Sequence, residues 1–132
     1  MSQVQIQSQT PNFALPSGKE LTLLDVLSFC YGLSETDVRV LMELLRSSPK
    51  STDDLSQELQ LSKASVNMRL NKLLGLGLVK RTKETGNRAG RPKYMYYIPD
   101  FDELKGKLVK EIEDCTDSIR NLIMTRLTLF LA

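Results

Sequence analysis

The sequence predicts a mainly α-helical domain closed by a small β-hairpin and extended by one long C-terminal helix. Three observations predict it. Hydroxyl-x-x-Asp patterns stand at Thr22/Asp25, Ser34/Asp37 and Ser51/Asp54, each just ahead of apolar residues at helical spacing. Two strand-like runs, "LVKRTKE" and "YMYYI", flank the glycine-containing basic stretch "TGNRAGRPK". From about Asp100 to the end, apolar residues recur at steps of three and four.

The elements follow in order. Residues 1–12 are rich in Gln and Ser and are expected to be a flexible polar tail. A turn at Pro16–Gly18 leads to the capped helix "LLDVLSFCY", which Gly32 ends. Ser34 opens a second helix with Val38, Leu41, Leu44 and Leu45 on one face, and "SSPKS" interrupts it. Ser51 opens "TDDLSQEL", with Leu55 and Leu59 inward. Three residues later, after "QLS", Ser62 opens a fourth helix with Val66, Leu70, Leu73 and Leu74 inward, and "GLGLV" stops it. In the second strand Tyr94, Tyr96 and Ile98 alternate with Met95 and Tyr97, and the tyrosines are expected to fill the hairpin. The boundaries are a tail at 1–12, a domain at 13–99 and a final helix at 100–132.

Charge separates the chain into two kinds of segment. The net charge is +2, but residues 62–94 hold nine cations against one acid, Glu84, and so carry +8. The remainder carries −6. A basic module in an acidic frame points to a polyanion partner. The chain has no His, which excludes imidazole chemistry. It has no phosphate-binding glycine loop and no metal-ligand cluster, so neither an enzyme nor a cofactor or metal is expected. Asp53 and Asp54 are explained by capping and the helix dipole, and the acids of "EIEDCTD" by a solvated helix face. Cys30 and Cys115 lie far apart in apolar helical patterns; they are expected to be reduced, buried thiols, with a disulfide or redox switch as the other reading. No apolar run approaches the ~18 residues of a membrane span, and the N-terminus lacks signal-peptide zones. A cytoplasmic protein is the expectation.

The third and fourth helices, joined by "QLS", are spaced to cross steeply as a helix-turn-helix. The outward face of the fourth carries Ala64, Ser65, Asn67, Met68, Arg69, Asn71 and Lys72, and no acid occurs from Ser62 to Lys83. A merely solvated face would mix Glu with Lys. Asn suits adenine edges, Arg suits guanine, and the helix start with Ser65 suits a phosphate. The bland alternative is a helical corner that binds nothing.

On the residues "LSETDVRVLMELL", "STDDLSQELQLSKASVNMRLNKLLGLGLVKR" and "GRPKYMYYI", the stretch Ser34–Ile98 resembles the winged helix-turn-helix of archaeal and bacterial regulators of the MarR and TrmB type. With "LPSGKELTLLDVLSFCYGLSETDV" and the long final helix, the chain is most similar to small archaeal Lrs-like regulators. The resemblance implies a transcription regulator that binds double-stranded DNA as a dimer. Recognition helix 62–76 would lie in the major groove and the basic wing, 84–93, at the minor groove. By position Ser62, Lys63, Ser65, Asn67, Met68, Arg69 and Lys72 would serve the helix contacts, and Lys83, Arg88, Arg91 and Lys93 the wing. Gly86 and Gly90 allow the wing a tight path, and its arginines suit the negative potential of narrow A·T-rich grooves. Met68 departs from the polar or basic residue common in relatives. The sugar-binding part of TrmB-type proteins and the effector domain of Lrp-type proteins are not expected in these 132 residues.

Thirty-odd residues of final helix would span about 45 Å, more than one small domain covers. A second copy of the same helix is the expected cover. The dimer interface would comprise Leu104, Leu108, Ile112, Cys115, Ile119, Leu122, Ile123, Leu127 and Phe130. The stripe drifts from a strict heptad, which favours an antiparallel coiled-coil pair over a parallel zipper. The other reading folds this helix back on its own domain. For the whole chain, the competing function is a winged-helix protein–protein adaptor within a transcription or replication complex. The sequence identifies no small-molecule effector.

Overall fold

The structure, a computed structural model, describes residues 13–84 and 93–131. The element order is α1 (Leu23–Tyr31), α2 (Glu35–Arg46), α3 (Thr52–Leu59), α4 (Lys63–Gly75), β1 (Lys80–Glu84), β2 (Lys93–Tyr97) and α5 (Phe101–Leu131). This is the mainly helical architecture with one antiparallel hairpin that the sequence predicts. The expected tail and the wing tip, with Arg88 and Arg91, lie outside the described residues.

Local chemistry starts each of the first four helices. Three reciprocal capping boxes form: Asp25 N–H donates to Thr22 Oγ1 at 3.1 Å, Asp37 N–H to Ser34 Oγ at 3.1 Å and Asp54 N–H to Ser51 Oγ at 3.0 Å, while each Asp accepts from its cap residue's N–H. Ser62 caps α4 through Ser65 N–H at 3.0 Å, with no acid to reciprocate. Gly32 ends α1 with φ 71°, a left-handed conformation that glycine adopts without a Cβ penalty. Gln60 takes the same region at φ 56° and turns the chain sharply from α3 to α4.

The core is the corner where α2, α3 and α4 meet. Val40, Leu41, Leu44, Leu55, Val66, Leu70 and Leu73 are each at most 1% exposed. Beside them sits one fully buried carboxylate, Asp37, the acid of the α2 capping box. Lys72 of α4 donates to its Oδ2 at 2.9 Å and to the Gly32 carbonyl at 2.6 Å. Arg69 Nε stands 3.6 Å from its Oδ1, and neither of those two atoms has a hydrogen-bond partner. Burial works to raise the Asp37 carboxyl, but donation from Ser34 N–H and from Lys72 outweighs it and holds the group below its ordinary value.

The hairpin departs from the expected strands in two ways. "LVKRTKE" does not begin as strand: Leu78 and Val79 plug the core, and β1 runs only from Lys80, exposed along its whole length. The register pairs Lys80 with Tyr97, Lys83 with Tyr94 and Glu84 with Lys93. The interrupting "SSPKS" supplies a third edge, since Lys50 N–H donates to the Tyr96 carbonyl at 2.9 Å and Tyr96 N–H returns a bond at 2.8 Å. Tyr96 is buried, as a hairpin-filling residue should be, while Tyr94 and Tyr97 are half-buried. The nearly buried Lys50 ammonium lies 2.7 and 2.8 Å from the two carboxylate oxygens of Glu58, which raises its pKa.

Two expectations about α5 are corrected. Leu104 and Leu108, grouped by sequence with a partner-facing stripe, pack on the chain's own core, because the first turns of α5 lie against the domain. Cys115, placed in the same stripe as a reduced thiol, is joined to Cys30 of α1 in a disulfide with a Cα–Cα distance of 5.9 Å. The two residues are 85 positions apart, so only the docking of α5 onto α1 brings them together. From residue 116 to 131 every residue of α5 is exposed. The helix therefore both folds back and projects.

Leu70→Ala should lower stability to denaturant by about 2–5 kcal/mol, since it empties a sealed corner; a loss below about 1 kcal/mol would sink this view of the core. Asp37→Ala should cost about 1.5–3 kcal/mol, as a charged hydrogen bond is lost. The Asp37 contribution also has a defined pH dependence. A carboxyl whose folded pKa lies below its unfolded value of about 3.9 stabilises fully above that value and loses its effect as pH falls through the folded one. Acid unfolding of the Asp37→Asn protein should therefore be less steep than that of the native chain; identical acid limbs would rule this out.

Candidate nucleic-acid interface

The site is built from α4, the turn before it and the hairpin after it. Arg39 of α2 donates to the Leu59 carbonyl at 3.0 Å and fixes the end of α3, and Leu61 N–H bonds to Ser56 O at 3.1 Å. With Val66, Leu70 and Leu73 sealed inside, Ala64, Asn67, Met68 and Asn71 are left exposed. Ser65 is half-buried in the first turn. Met68, 61% exposed, is the large apolar residue of this face. Asn67 Oδ1 accepts from Thr52 Oγ1 at 2.9 Å, which orients the carboxamide across the gap between α3 and α4.

The cations of the predicted site divide by partner. Lys63 pairs with Asp53 at 3.1 Å, with both side chains well exposed, a pair that water and salt weaken readily. Arg69 is half-buried, and Lys72 is exposed but engaged by protein acceptors. Both turn toward α2, because a carboxylate as buried as Asp37 demands compensating charge. Lys83 and Lys93 are exposed on the hairpin. Sequence reasoning left out Lys80 and Arg81, which stand exposed on the same ribbon; Arg81 lies over the Tyr94 ring at 4.1 Å. The signal was present in "KRTKE", which contains no apolar residue and so buries neither face.

Of the predicted interface stripe, Ile112 is half-buried, and Ile119, Leu122, Ile123, Leu127 and Phe130 are exposed, from 37% at Ile119 to 87% at Phe130. Tyr31 Oη donates to Glu111 Oε1 at 2.6 Å, and Lys107 Nζ to Glu111 Oε2 at 2.7 Å. Burial, then Glu111, raises the Tyr31 phenol, while Lys107, then Tyr31, lowers the Glu111 carboxyl. Among the described residues no group of His, Cys, Asp and Glu could hold a metal ion, and no helix is long and apolar enough to cross a membrane.

Comparison with known proteins bears on the fold and the family. An uncharacterised protein of Methanocaldococcus jannaschii is 26% identical over 100 residues, 75% of each chain. The ST1889 protein of the thermoacidophilic archaeon Sulfolobus tokodaii has a crystal structure with a TM-score of 0.63 and 31% identity, covering 73% of this chain and 89% of that one. A possible transcriptional regulator from Methanosarcina mazei Go1 shares the fold at a TM-score of 0.72 and 21% identity, over 87% of this chain and 98% of that one. A family model described as the sugar-specific transcriptional regulator TrmB matches residues 27–101, the span from the middle of α1 through the hairpin to the start of α5. The chain thus carries a winged helix-turn-helix and belongs to the TrmB family of transcriptional regulators.

Proposed function

We propose that the chain is a homodimeric regulator that binds double-stranded DNA sequence-selectively or semi-selectively, with residues 62–76 in the major groove and the basic segment 84–93 at the minor groove. One observation carries this reading: the outer face of α4 is exposed and acid-free, and the hairpin that follows it in the chain leaves its cations Lys80, Arg81, Lys83 and Lys93 exposed as well. Phosphate contacts from the ribbon would supply most of the affinity, and Ser65, Asn67 and Met68 the selectivity. Lys63 would exchange its exposed carboxylate partner for a phosphate.

The homodimer rests on α5. A stripe of exposed apolar residues from Ile119 to Phe130 has no cover among the described residues, and a second copy would supply the matching surface. Charge favours the antiparallel arrangement. Glu113, Asp114 and Asp117, around the Cys115 junction, precede Arg120 and Arg126 of the projecting region. Antiparallel pairing sets the acidic end of one copy beside the basic end of the other, whereas parallel pairing aligns like charges. Residues 13–99 would then be the DNA-binding unit and 100–132 the dimerisation helix.

Lys83→Ala combined with Lys93→Ala should weaken binding to any duplex and reduce the slope of log K against log salt by about 2, near 0.9 per lost phosphate contact. An unchanged slope would take the ribbon off the DNA. Absence of a gel shift on random duplex at micromolar protein and low salt would favour the adaptor reading. Leu122→Asp with Leu127→Asp should yield monomers in sedimentation; a persistent dimer would place the interface elsewhere.

A further inference from the structure

We propose that the Cys30–Cys115 disulfide is a reducible clamp that fixes the direction in which α5 leaves the DNA-reading domain, and that a dithiol reductant weakens the grip of one dimer on two half-sites. The proposal rests on the dimeric DNA-binding reading above.

The helix α5 is held near its N-terminal end. Its non-covalent anchors are Leu104 in the core, Leu108 packed against it and Glu111 bonded to Tyr31 at 2.6 Å. These span seven steps of helix, about 10 Å along the axis. Cys115 lies one turn further on, and every described residue beyond it, 116 to 131, is exposed. The disulfide is thus the last attachment before the projecting half. A rigid helix held only near one end pivots about that end. A covalent bond placed further along the rod supplies a second fixed point and so fixes its direction. Cys30 and Cys115 are both half-buried rather than sealed in the core, and exchange with an outside thiolate depends on such access. They are the only cysteines in the chain, so no other thiol can reshuffle the bond within one protomer.

The chemistry is ordinary thiol–disulfide exchange. A thiolate of the dithiol attacks one sulfur, the Cys30–Cys115 bond breaks and a mixed disulfide forms. The second thiolate of the reductant then displaces the remaining cysteine sulfur. Two electrons pass to the protein, each cysteine ends as a protonated thiol, and the reductant leaves as its cyclic disulfide. In a dimer joined through the projecting halves of α5, the direction of α5 sets the separation of the two DNA-reading domains. With that direction loose, the second domain meets its half-site at a lower effective concentration.

The test uses the full chain with two mixed-sequence duplexes, one of about 40 base pairs and one of about 12, the latter little longer than one helical turn. Treatment with dithiothreitol should reduce affinity for the long duplex about tenfold and leave the short one within about twofold. The Cys30→Ser/Cys115→Ser protein should match the reduced native chain and ignore the reductant. Small-angle scattering of the DNA-free dimer should show a broader distance distribution after reduction. Should reduction change neither the long-duplex affinity nor the scattering, the bond is a structural staple only and the proposal fails. It fails equally if both duplexes weaken together with loss of helical circular dichroism, since that is unfolding. If the oxidised protein binds neither duplex, the DNA-binding reading falls, and the scattering alone decides the clamp.

Discussion

Burial of one face of α4 against α2 and α3 governs the rest of this molecule. Val66, Leu70 and Leu73 are completely enclosed, and a buried aliphatic side chain of this kind contributes about 1.5–3 kcal/mol. With three on one side, the helix has a single rotation at which it can sit. That rotation selects Asn67, Met68 and Asn71 as the residues presented outward. Asp37 reinforces the choice electrostatically, drawing Lys72 and Arg69 toward α2. Apolar and ionic contacts thus agree on one orientation, which is the condition for a face that must match another surface.

The same carboxylate redistributes the basic character of the chain. Summed along the sequence, residues 62–94 are strongly positive, but the charge is not equally available. Lys72 and Arg69 answer a buried acid, Lys63 answers an exposed one, and the cations of the hairpin stand over solvent or an aromatic ring. On the ribbon Lys93 stands opposite Glu84 in the register, and its charge helps to lower the Asp54 carboxyl. Screening by salt acts most on such exposed charges and least on the Asp37 cluster.

The final helix performs two tasks in sequence. Its first turns complete the domain core through Leu104, and its remainder carries an apolar stripe that is exposed among the described residues. The junction between the two falls at Cys115, where a covalent bond to α1 takes over from side-chain packing. A helix of 31 residues is stiff enough to carry the orientation of its anchored end along its length, so the geometry of any assembly through its far end depends on that junction.

The features legible in the sequence are those that neighbours along the chain create. A capping box needs only residues three apart, and all three boxes formed; the inward residues of α4 follow from helical period alone. The hairpin and the length of α5 are legible for the same reason, as is the acid-free outer face of α4. What required the folded molecule are the pairings between distant segments. Lys50 joining β2 as a third edge, Lys72 turning to Asp37 across 35 residues and Cys30 meeting Cys115 across 85 have no local signature. Each depends on the angle at which one element crosses another. That angle is set by the fit of many side chains at once, whereas a cap or a period is set by a few adjacent ones.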